Sequence, residues 1–476
     1  MKISNLKFTI SNFIKNPLFS GSAVMIVGSN AVSFINYLYH LMMGRLLGPA
    51  NYGELVAIIS LIGLLGVIPG SLNLVVIKYI SSAKNDMEIS SLINWFKNKI
   101  IIASLVFCLI LLILSPVISS FLHLSKSYYL ILMALFFFFS IQSLLNRSIL
   151  QGLLKFKEMI ASVLVENGIR LLAGILLVYL GFAVGGAIAG FAISVVLGWY
   201  ITVYCLHYNE LLRSKLQSIP SGNFFSNHLF PHQWWEVFWF KNKTKTEIKV
   251  DLKDLLRFTI PVMVQSIAIT SLYSSDVILV KHFFETKEAG IYAALSNLGK
   301  IIFFGAGPIS AVMFPLVSQR RAKGERHKRI FIYSFFATIT LAIAILLVYW
   351  LFPQLAIRLL YGELFLGASY LLVWFGIFIS FFTLSTLLVS YSLSVGRTSV
   401  VIFPLIGAVA QIIGIWFFHI SLFEVVLVSC IVTGVLLALL LIYSAYGSKV
   451  GVGDRAGLQT GKDNSKRPYK NKRNFG

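Results

Sequence analysis

The sequence contains few charged residues for its length. Asp, Glu, Lys and Arg together make up 12% of its 476 residues, about half the share found in an ordinary soluble chain. Hydrophobic residues make up 57%, which is more apolar surface than a water-soluble fold of this size can hide. The shortage of charge therefore excludes a soluble globular protein and favours a chain whose helices lie in a lipid bilayer.

Cysteines and catalytic motifs are also scarce. The three cysteines, Cys108, Cys205 and Cys430, all fall in apolar stretches, so they offer neither a disulfide framework nor the spacing of a zinc site. The sequence has no Walker loop, no HExxH motif and no nucleophile elbow. These absences predict a transporter rather than an enzyme, with no cofactor and no metal site.

The apolar residues form long continuous runs. A bilayer core of about 30 Å requires about 20 helical residues, and runs without alternation predict helices rather than a barrel. We predict an all-α membrane protein with twelve spans in two six-helix lobes. The spans are residues 21–44, 54–79, 99–121, 128–149, 160–182, 184–206, 258–282, 289–316, 329–352, 365–391, 398–419 and 422–446. The predicted units are an N-terminal lobe (1–206), an interfacial linker (207–257), a C-terminal lobe (258–446) and a disordered basic tail (447–476).

The distribution of basic residues predicts the orientation. The formal net charge of +22 would suit a nucleic-acid partner, but the lysines and arginines lie between the apolar runs and in the tail. With the N-terminus inside, 33 of the 40 basic residues fall on the inner side and five on the outer side. This positive-inside pattern predicts a multi-pass protein of the cytoplasmic membrane with both ends in the cytoplasm. We expect membrane lipids, and no nucleic acid, among its partners.

The two predicted lobes resemble each other. A shift of 237 positions places Gly53 on Gly290 and brings Pro69-Gly70 onto the Ala306-Gly307-Pro308 sequence. With six helices each, the lobes share one orientation and are related by a pseudo-two-fold axis along the membrane normal. We expect the second helix of each lobe to be broken at its glycine and proline, a feature that points to a transport site.

Four ionisable residues lie away from the ends of the predicted spans, where each charge costs at least about 2.5 kcal/mol on insertion scales. Glu166 and Arg170 are four residues apart on one helix face, so they either pair with each other or face a central cavity. Lys300 lies near the middle of the eighth span and either pairs with Asp276 or Glu166 or contacts an anionic substrate. Asp276 and Glu166 are also candidates for binding a coupling ion.

Polar residues near these charges complete the predicted binding site. Asn30 belongs to a polar stripe on the first helix, and Asn297 shares the small and polar face of Lys300. Arg45 lies at the outer rim, where a membrane-anchoring role is the alternative. We predict that Arg170, Lys300, Arg45, Asn30 and Asn297 bind substrate in a central cavity.

Two stretches carry a family resemblance. GRLLGPANYGELVAIISLIGLLGVIPGSLNLVVIKYIS resembles the opening of the polysaccharide-biosynthesis flippases of the multidrug/oligosaccharidyl-lipid/polysaccharide (MOP) exporter superfamily, and DVILVKHFFETKEAGIYAALSNLGKII is similar to their seventh helix and the turn after it. The matching residues are Arg45, Leu47, Gly48, Tyr52 and Gly53 in the first half and Asp276, Gly290 and Tyr292 in the second.

The resemblance implies a V-shaped pair of six-helix lobes around a central cavity. It implies that a lipid-linked oligosaccharide, carried on polyprenyl or dolichyl phosphate or pyrophosphate, is flipped by alternating access for surface polysaccharide or glycan biosynthesis. Arg170 and Lys300 are suited to such a phosphate, and glycan assembly proteins are candidate partners. Two alternatives stay open: a cation-coupled multidrug exporter, whose cavity acids would dominate, and a membrane glycan polymerase or ligase, which would need a large catalytic outer loop.

Overall fold

The computed structural model describes the backbone of residues 17–83, 85–217, 252–325 and 327–460. These ranges contain helices and no strand, which confirms the all-α prediction. The helices are α1 (Pro17–Ser82), α2 (Asp86–Phe121), α3 (Tyr128–Gly152), α4 (Phe156–Leu177), α5 (Ala183–Gln217), α6 (Leu252–Phe283), α7 (Thr286–Ala322), α8 (Lys328–Leu351), α9 (Pro353–Leu360), α10 (Leu372–Ser394), α11 (Ile402–Phe417) and α12 (Leu422–Thr460).

Two predicted segments differ from the structure or fall outside it. The last helix continues to Thr460, into the tail that we expected to be disordered, and no proline interrupts residues 447–460 to stop it. Residues 461–476 and most of the predicted linker, 218–251, lie outside the described residues. The short helix α9 was not predicted, since eight residues are too few to span a bilayer.

Ten helical stretches of the described residues are long and apolar enough to cross a membrane. Two of them have 59 and 51 residues, more than twice the length that a bilayer core needs, and each contains a glycine with a left-handed backbone. At Gly48 φ is 68° and at Gly181 it is 91°, values that residues with a β-carbon rarely adopt. The chain turns back at Gly48. His40 precedes this glycine and Tyr52 follows it, yet Nδ1 of His40 lies only 3.3 Å from the hydroxyl of Tyr52. Twelve crossings remain a prediction, which requires each long stretch to be a pair of spans.

The expected breaks at proline are absent. The helices α1 and α7 continue through Pro69 and Pro308, so the prediction of broken second helices was wrong. In lipid, a backbone group that has lost its helical hydrogen bond finds no water to replace the partner. Contacts with neighbouring helices therefore stabilise a continuous helix around a proline. Both prolines therefore lie inside continuous helices.

The two lobes meet at one end of the bundle and separate toward the other. A β-carbon added at Gly53 would lie 2.6 Å from the backbone nitrogen of Gly290, so the second arm of α1 (residues 49–82) touches α7 there, backbone to backbone. Seventeen residues further along, which is about 25 Å of helix, a β-carbon on Gly70 or Gly307 would meet nothing within 4 Å. Equivalent positions thus touch at one end and stand open at the other.

We call the two ends of the bundle the closed end and the basic end. The closed end carries the turns at residue 48 and at 122–127, 284–285 and 352–362. The basic end carries the turns at 83–85, 153–155 and 323–327, with Arg320, Arg321, Lys323, Lys328 and Arg329 around the last of them. In α7 every residue from 289 to 300 is buried, whereas Gly305, Gly307 and Ala311 are exposed. A V-shaped gap therefore widens toward the basic end.

Candidate functional site

A polar network joins the lobes just below the glycine contact. Asn297 of α7 donates from Nδ2 to the hydroxyl of Tyr52 on α1, at 2.8 Å. The same hydroxyl lies 3.1 Å from the hydroxyl of Tyr361 and 3.3 Å from Nδ1 of His40. Tyr52 and Tyr361 are almost fully buried, so their hydroxyls need these partners in a space without water. The network closes the narrow end of the V.

Lys300 lies one helical turn from this network. It follows Asn297 by three residues, so both side chains project from the same face of α7. Lys300 is 7% exposed, and its Nζ stands 5.4 Å from the ring centre of Tyr273. Among the described residues, no carboxylate oxygen lies within 4.0 Å of this ammonium group. A buried cation with an aromatic neighbour and no direct counter-ion is able to accept an anion.

Asp276 on α6 is the carboxylate that interacts electrostatically with Lys300 from a distance. It is fully buried. Its Oδ2 accepts a hydrogen bond of 3.0 Å from the hydroxyl of Tyr292, and its Oδ1 has no hydrogen-bond partner in the described part of the chain. A buried carboxylate with one unused oxygen retains the capacity to bind a proton or a cation.

A second charged cluster lies inside the N-terminal lobe. Glu166 on α4 accepts from Arg170 on the same helix at 3.1 Å and from Arg147 on α3 at 2.7 Å. Arg170 also donates to Oδ1 of Asn36 at 3.2 Å and stands 4.3 Å above the ring centre of Phe191. One carboxylate thus serves two guanidinium groups, and the cluster carries one net positive charge.

The first arm of α1 connects the two charged groups. Asn36 and His40 are four residues apart and share a helix face. Asn36 contacts Arg170, while His40 contacts the network between the lobes. His40 also interacts electrostatically with both Lys300 and Arg170. The structure therefore brings these two predicted cations to opposite sides of one polar strip on α1.

Two predicted binding residues lie apart from this group. Arg45 is at the closed end, where Nε donates to the carbonyl of Leu360 at 3.0 Å and Nη2 to the carbonyl of Leu359. Its long side chain reaches the turn of the opposite lobe instead of the cavity. Asn30 is exposed and donates to the carbonyl of Ile26 in its own helix at 2.7 Å.

Arg147, near the end of the predicted span 128–149, is a charged residue of this cluster that the sequence did not single out. Its Nε donates to the hydroxyl of Ser162 at 3.1 Å. The hairpin between α3 and α4 contains the signal that would have found it, since Arg147 and Ser162 are nearly equidistant from the turn at 153–155. Arg147 also lines a cavity of about 210 Å³ together with Gly66, Pro69 and Ser140.

The comparisons with known proteins agree with this architecture. A family model described as a polysaccharide biosynthesis protein matches residues 18–321, which is more than half of the chain. The chain belongs to this polysaccharide biosynthesis family. The match confirms the resemblance noted in the sequence. No curated protein sequence matches the chain significantly.

Solved structures show the fold of this polysaccharide biosynthesis family member. An inward-facing multidrug resistance MATE-family transporter of the MOP superfamily superposes with a TM-score of 0.67 and 14% identity, over 88% of this chain and 96% of that chain. The lipid II flippase MurJ, in an inward closed conformation, gives 0.64 and 16%, over 88% and 87%. A MOP superfamily transporter from Pyrococcus furiosus gives 0.56 and 16%, over 89% and 95%. The chain therefore has the MOP transporter fold.

Proposed function

We propose that this membrane transporter flips a lipid-linked glycan across the cytoplasmic membrane, with Lys300 as the main contact for the phosphate or pyrophosphate of the carrier. The observation that carries the proposal is the burial of Lys300 near the narrow end of the V, where none of the described carboxylates lies at salt-bridge distance from it. A phosphate in such a site gains more from a cation than it would in water. The glycan would occupy the widening gap, while the lipid stays in the bilayer.

Arg170 has a different role in this proposal from the one predicted. Its Nη2 already pairs with Glu166 and its Nη1 donates to the neutral side chain of Asn36, both in the N-terminal lobe, while its buried Nε has no hydrogen-bond partner among the described residues. Arg147 retains an Nη1 without a partner among the described residues and lines the cavity beside α1. We assign the Arg147–Glu166–Arg170 cluster a supporting positive charge for an anionic group that has left Lys300.

The orientation and the coupling are further parts of the proposal. The turns of the basic end would face the cytoplasm, which agrees with the positive-inside pattern of the sequence. Asp276, with its unused Oδ1, is the residue proposed to bind a coupling ion. Glu166 is a poorer candidate than predicted, because each of its oxygens accepts from an arginine. Membrane lipids and glycan assembly proteins remain the proposed partners.

The names of two neighbours mark the alternatives. MurJ is described as a lipid II flippase, whereas the first neighbour is described as a multidrug resistance transporter. An exporter of cationic drugs would need acids in excess at the centre of the cavity, but the three cations Lys300, Arg170 and Arg147 outnumber the two acids Asp276 and Glu166 by one. This balance of charge favours an anionic cargo.

The test uses the full-length chain in liposomes with a fluorescent polyprenyl-pyrophosphate disaccharide as probe. Transfer is followed by quenching of the outer-leaflet fluorophore with dithionite. We expect Lys300→Ala to slow transfer at least about tenfold, the factor for loss of one charge-assisted contact of about 1.4 kcal/mol or more, and Lys300→Arg to restore part of it. Lys323→Ala, an exposed lysine at the end of the same helix, is the matched control.

Two results would contradict the proposal. Equal transfer by the parent chain and by Lys300→Ala would remove Lys300 from the phosphate site. Transport of ethidium, without transfer of the glycolipid probe, would support the multidrug exporter instead.

A further inference from the structure

Two contacts hold the lobes together at the closed end. Arg45 ends the first arm of α1 (residues 17–47) and donates to the carbonyls of Leu359 and Leu360 in the C-terminal lobe. His282 ends α6 and donates from Nδ1 to the carbonyl of Phe121 in the N-terminal lobe, at 2.7 Å. Each contact therefore runs from one lobe to the other, and the two run in opposite directions.

The two contacts occupy corresponding places in the two lobes. The shift of 237 positions that places Gly53 on Gly290 also places Arg45 on His282 and residues 121–123 on 358–360. Thus equivalent donors meet equivalent turns, each donor at the end of the first helix of its lobe. The correspondence between the two contacts does not depend on sequence similarity, because the two turns have different residues at most positions.

The chemistry of the two acceptors is also the same. Leu359 and Leu360 are the last residues of α9, and Phe121 is the last residue of α2. Carbonyls at the C-terminal end of a helix have no donor within the helix and carry partial negative charge. A cationic or donor side chain from the other lobe satisfies them. The His282 ring also stacks on the ring of Phe121, with centroids 4.1 Å apart.

Lys281 supports the second contact. Its side chain is 2% exposed, and Nζ lies 3.5 Å from the carbonyl of His123 and 3.3 Å from the hydroxyl of Thr286. The turn that it approaches is anchored from the N-terminal lobe by Glu54, which accepts from the backbone nitrogen and the hydroxyl of Ser125. The second contact is therefore built on an ordered turn.

We propose that Arg45 and His282 are a pair of gate residues that keep the closed end shut, and that both contacts must break before a cargo leaves at that end. The Gly53–Gly290 contact lies near the axis that relates the lobes. One donor lies on each side of it, so rocking of one lobe against the other strains both contacts together. The identity of the cargo rests on the proposed function. The gate itself rests only on the contacts between the lobes.

The experiment measures the accessibility of the closed end. Ala57 is fully buried and follows Gly53 by one turn on the same face of α1. Ala57→Cys is introduced into the full chain with Cys108, Cys205 and Cys430 changed to Ser, and is labelled from the closed end with a membrane-impermeant maleimide. We expect slow labelling of this parent, labelling roughly tenfold faster with Arg45→Ala or His282→Ala, and still faster labelling with both changes.

Controls separate loss of the gate from loss of the fold. Arg358→Ala changes an arginine in the segment that Arg45 contacts, but its own partner, Glu363, is in the same lobe, and we expect parent-like labelling. His282→Asn keeps a side-chain donor, so it should label more slowly than His282→Ala. A cysteine at Ala311, exposed on the basic half of α7, is labelled separately in inverted vesicles, and a variant that opens the closed end by rocking should label there no faster than the parent.

The inference is overturned if the double variant labels Ala57→Cys at the parent rate, or if Arg358→Ala opens the closed end as much as Arg45→Ala does. Labelling requires no glycolipid, so this outcome is distinct from a failure of the transport assay on Lys300.

Discussion

Glu166 is the carboxylate that pairs with both arginines of the charged cluster in the N-terminal lobe. Its side chain is 7% exposed and lies between two arginine side chains that are 17% and 13% exposed. The spacing of four residues was enough to predict the contact with Arg170 from the sequence. The contact with Arg147 required the pairing of α3 with α4, which local spacing does not encode.

The same difference explains which residues of the network were predicted. Asn297 was expected because it shares a helix face with Lys300. Tyr361 was not, since it follows α9 in the sequence and reaches Tyr52 only through the tertiary fold. Residues that share a helix face are predictable, whereas contacts between lobes need the arrangement of the whole bundle.

Removal of the Glu166 charge should destabilise the chain. Glu166→Gln leaves two guanidinium groups without a counter-ion in a largely buried site, and breaking such a pair costs about 3 kcal/mol or more. We expect a clear fall in the thermal unfolding temperature in detergent, and partial recovery when Arg147→Gln is added. Glu363→Gln, which removes the exposed partner of Arg358, is the control and should change little. Equal effects of Glu166→Gln and Glu363→Gln would contradict the prediction.

At the scale of the helices, the apolar runs in the sequence predict the spans. Lipid requires continuous backbone hydrogen bonding, so an apolar run that crosses it is helical. The same requirement explains the wrong prediction at Pro69 and Pro308, which lie in unbroken helices. A proline in the sequence indicates that one backbone hydrogen bond of the helix is lost at that position. Whether the helix then bends or breaks is decided by the neighbouring helices.

The crossing of α1 and α7 depends on having no side chain at Gly290. A β-carbon there would overlap the carbonyl oxygen of Pro49, so Gly290→Ala must push the lobes apart at the closed end. We expect a population of longer distances between spin labels at Lys126 and Glu363, which lie on opposite lobes. Gly307→Ala on the same helix has open space around it and should leave the distances unchanged. A distance distribution identical to that of the parent in Gly290→Ala would contradict this.

At the scale of the whole molecule, one sequence shift links three features of the structure. The shift that aligns Gly53 with Gly290 also aligns Gly70 with Gly307 and Arg45 with His282. The first pair touches, the second pair is separated, and the third makes equivalent contacts across the lobes. Two equivalent arms that meet at an axis and diverge along it form a V, which is the geometry that alternating access needs.

The direction in which this V opens gives the last prediction. The basic residues cluster at the open end, and the positive-inside pattern predicts that this end faces the cytoplasm. A cysteine at Ala311, exposed in the open half of α7, should react with an impermeant maleimide in inverted membrane vesicles and not in intact cells. A cysteine at Ala293, buried in the closed half of the same helix, should react slowly in both. Reaction at Ala311 from outside intact cells would reverse the orientation, and rapid reaction at Ala293 from outside would mean that the outward-open state dominates. Because α7 touches α1 at the closed end and is exposed in its basic half, cysteines at these two depths of α7 report both the orientation and the resting conformation.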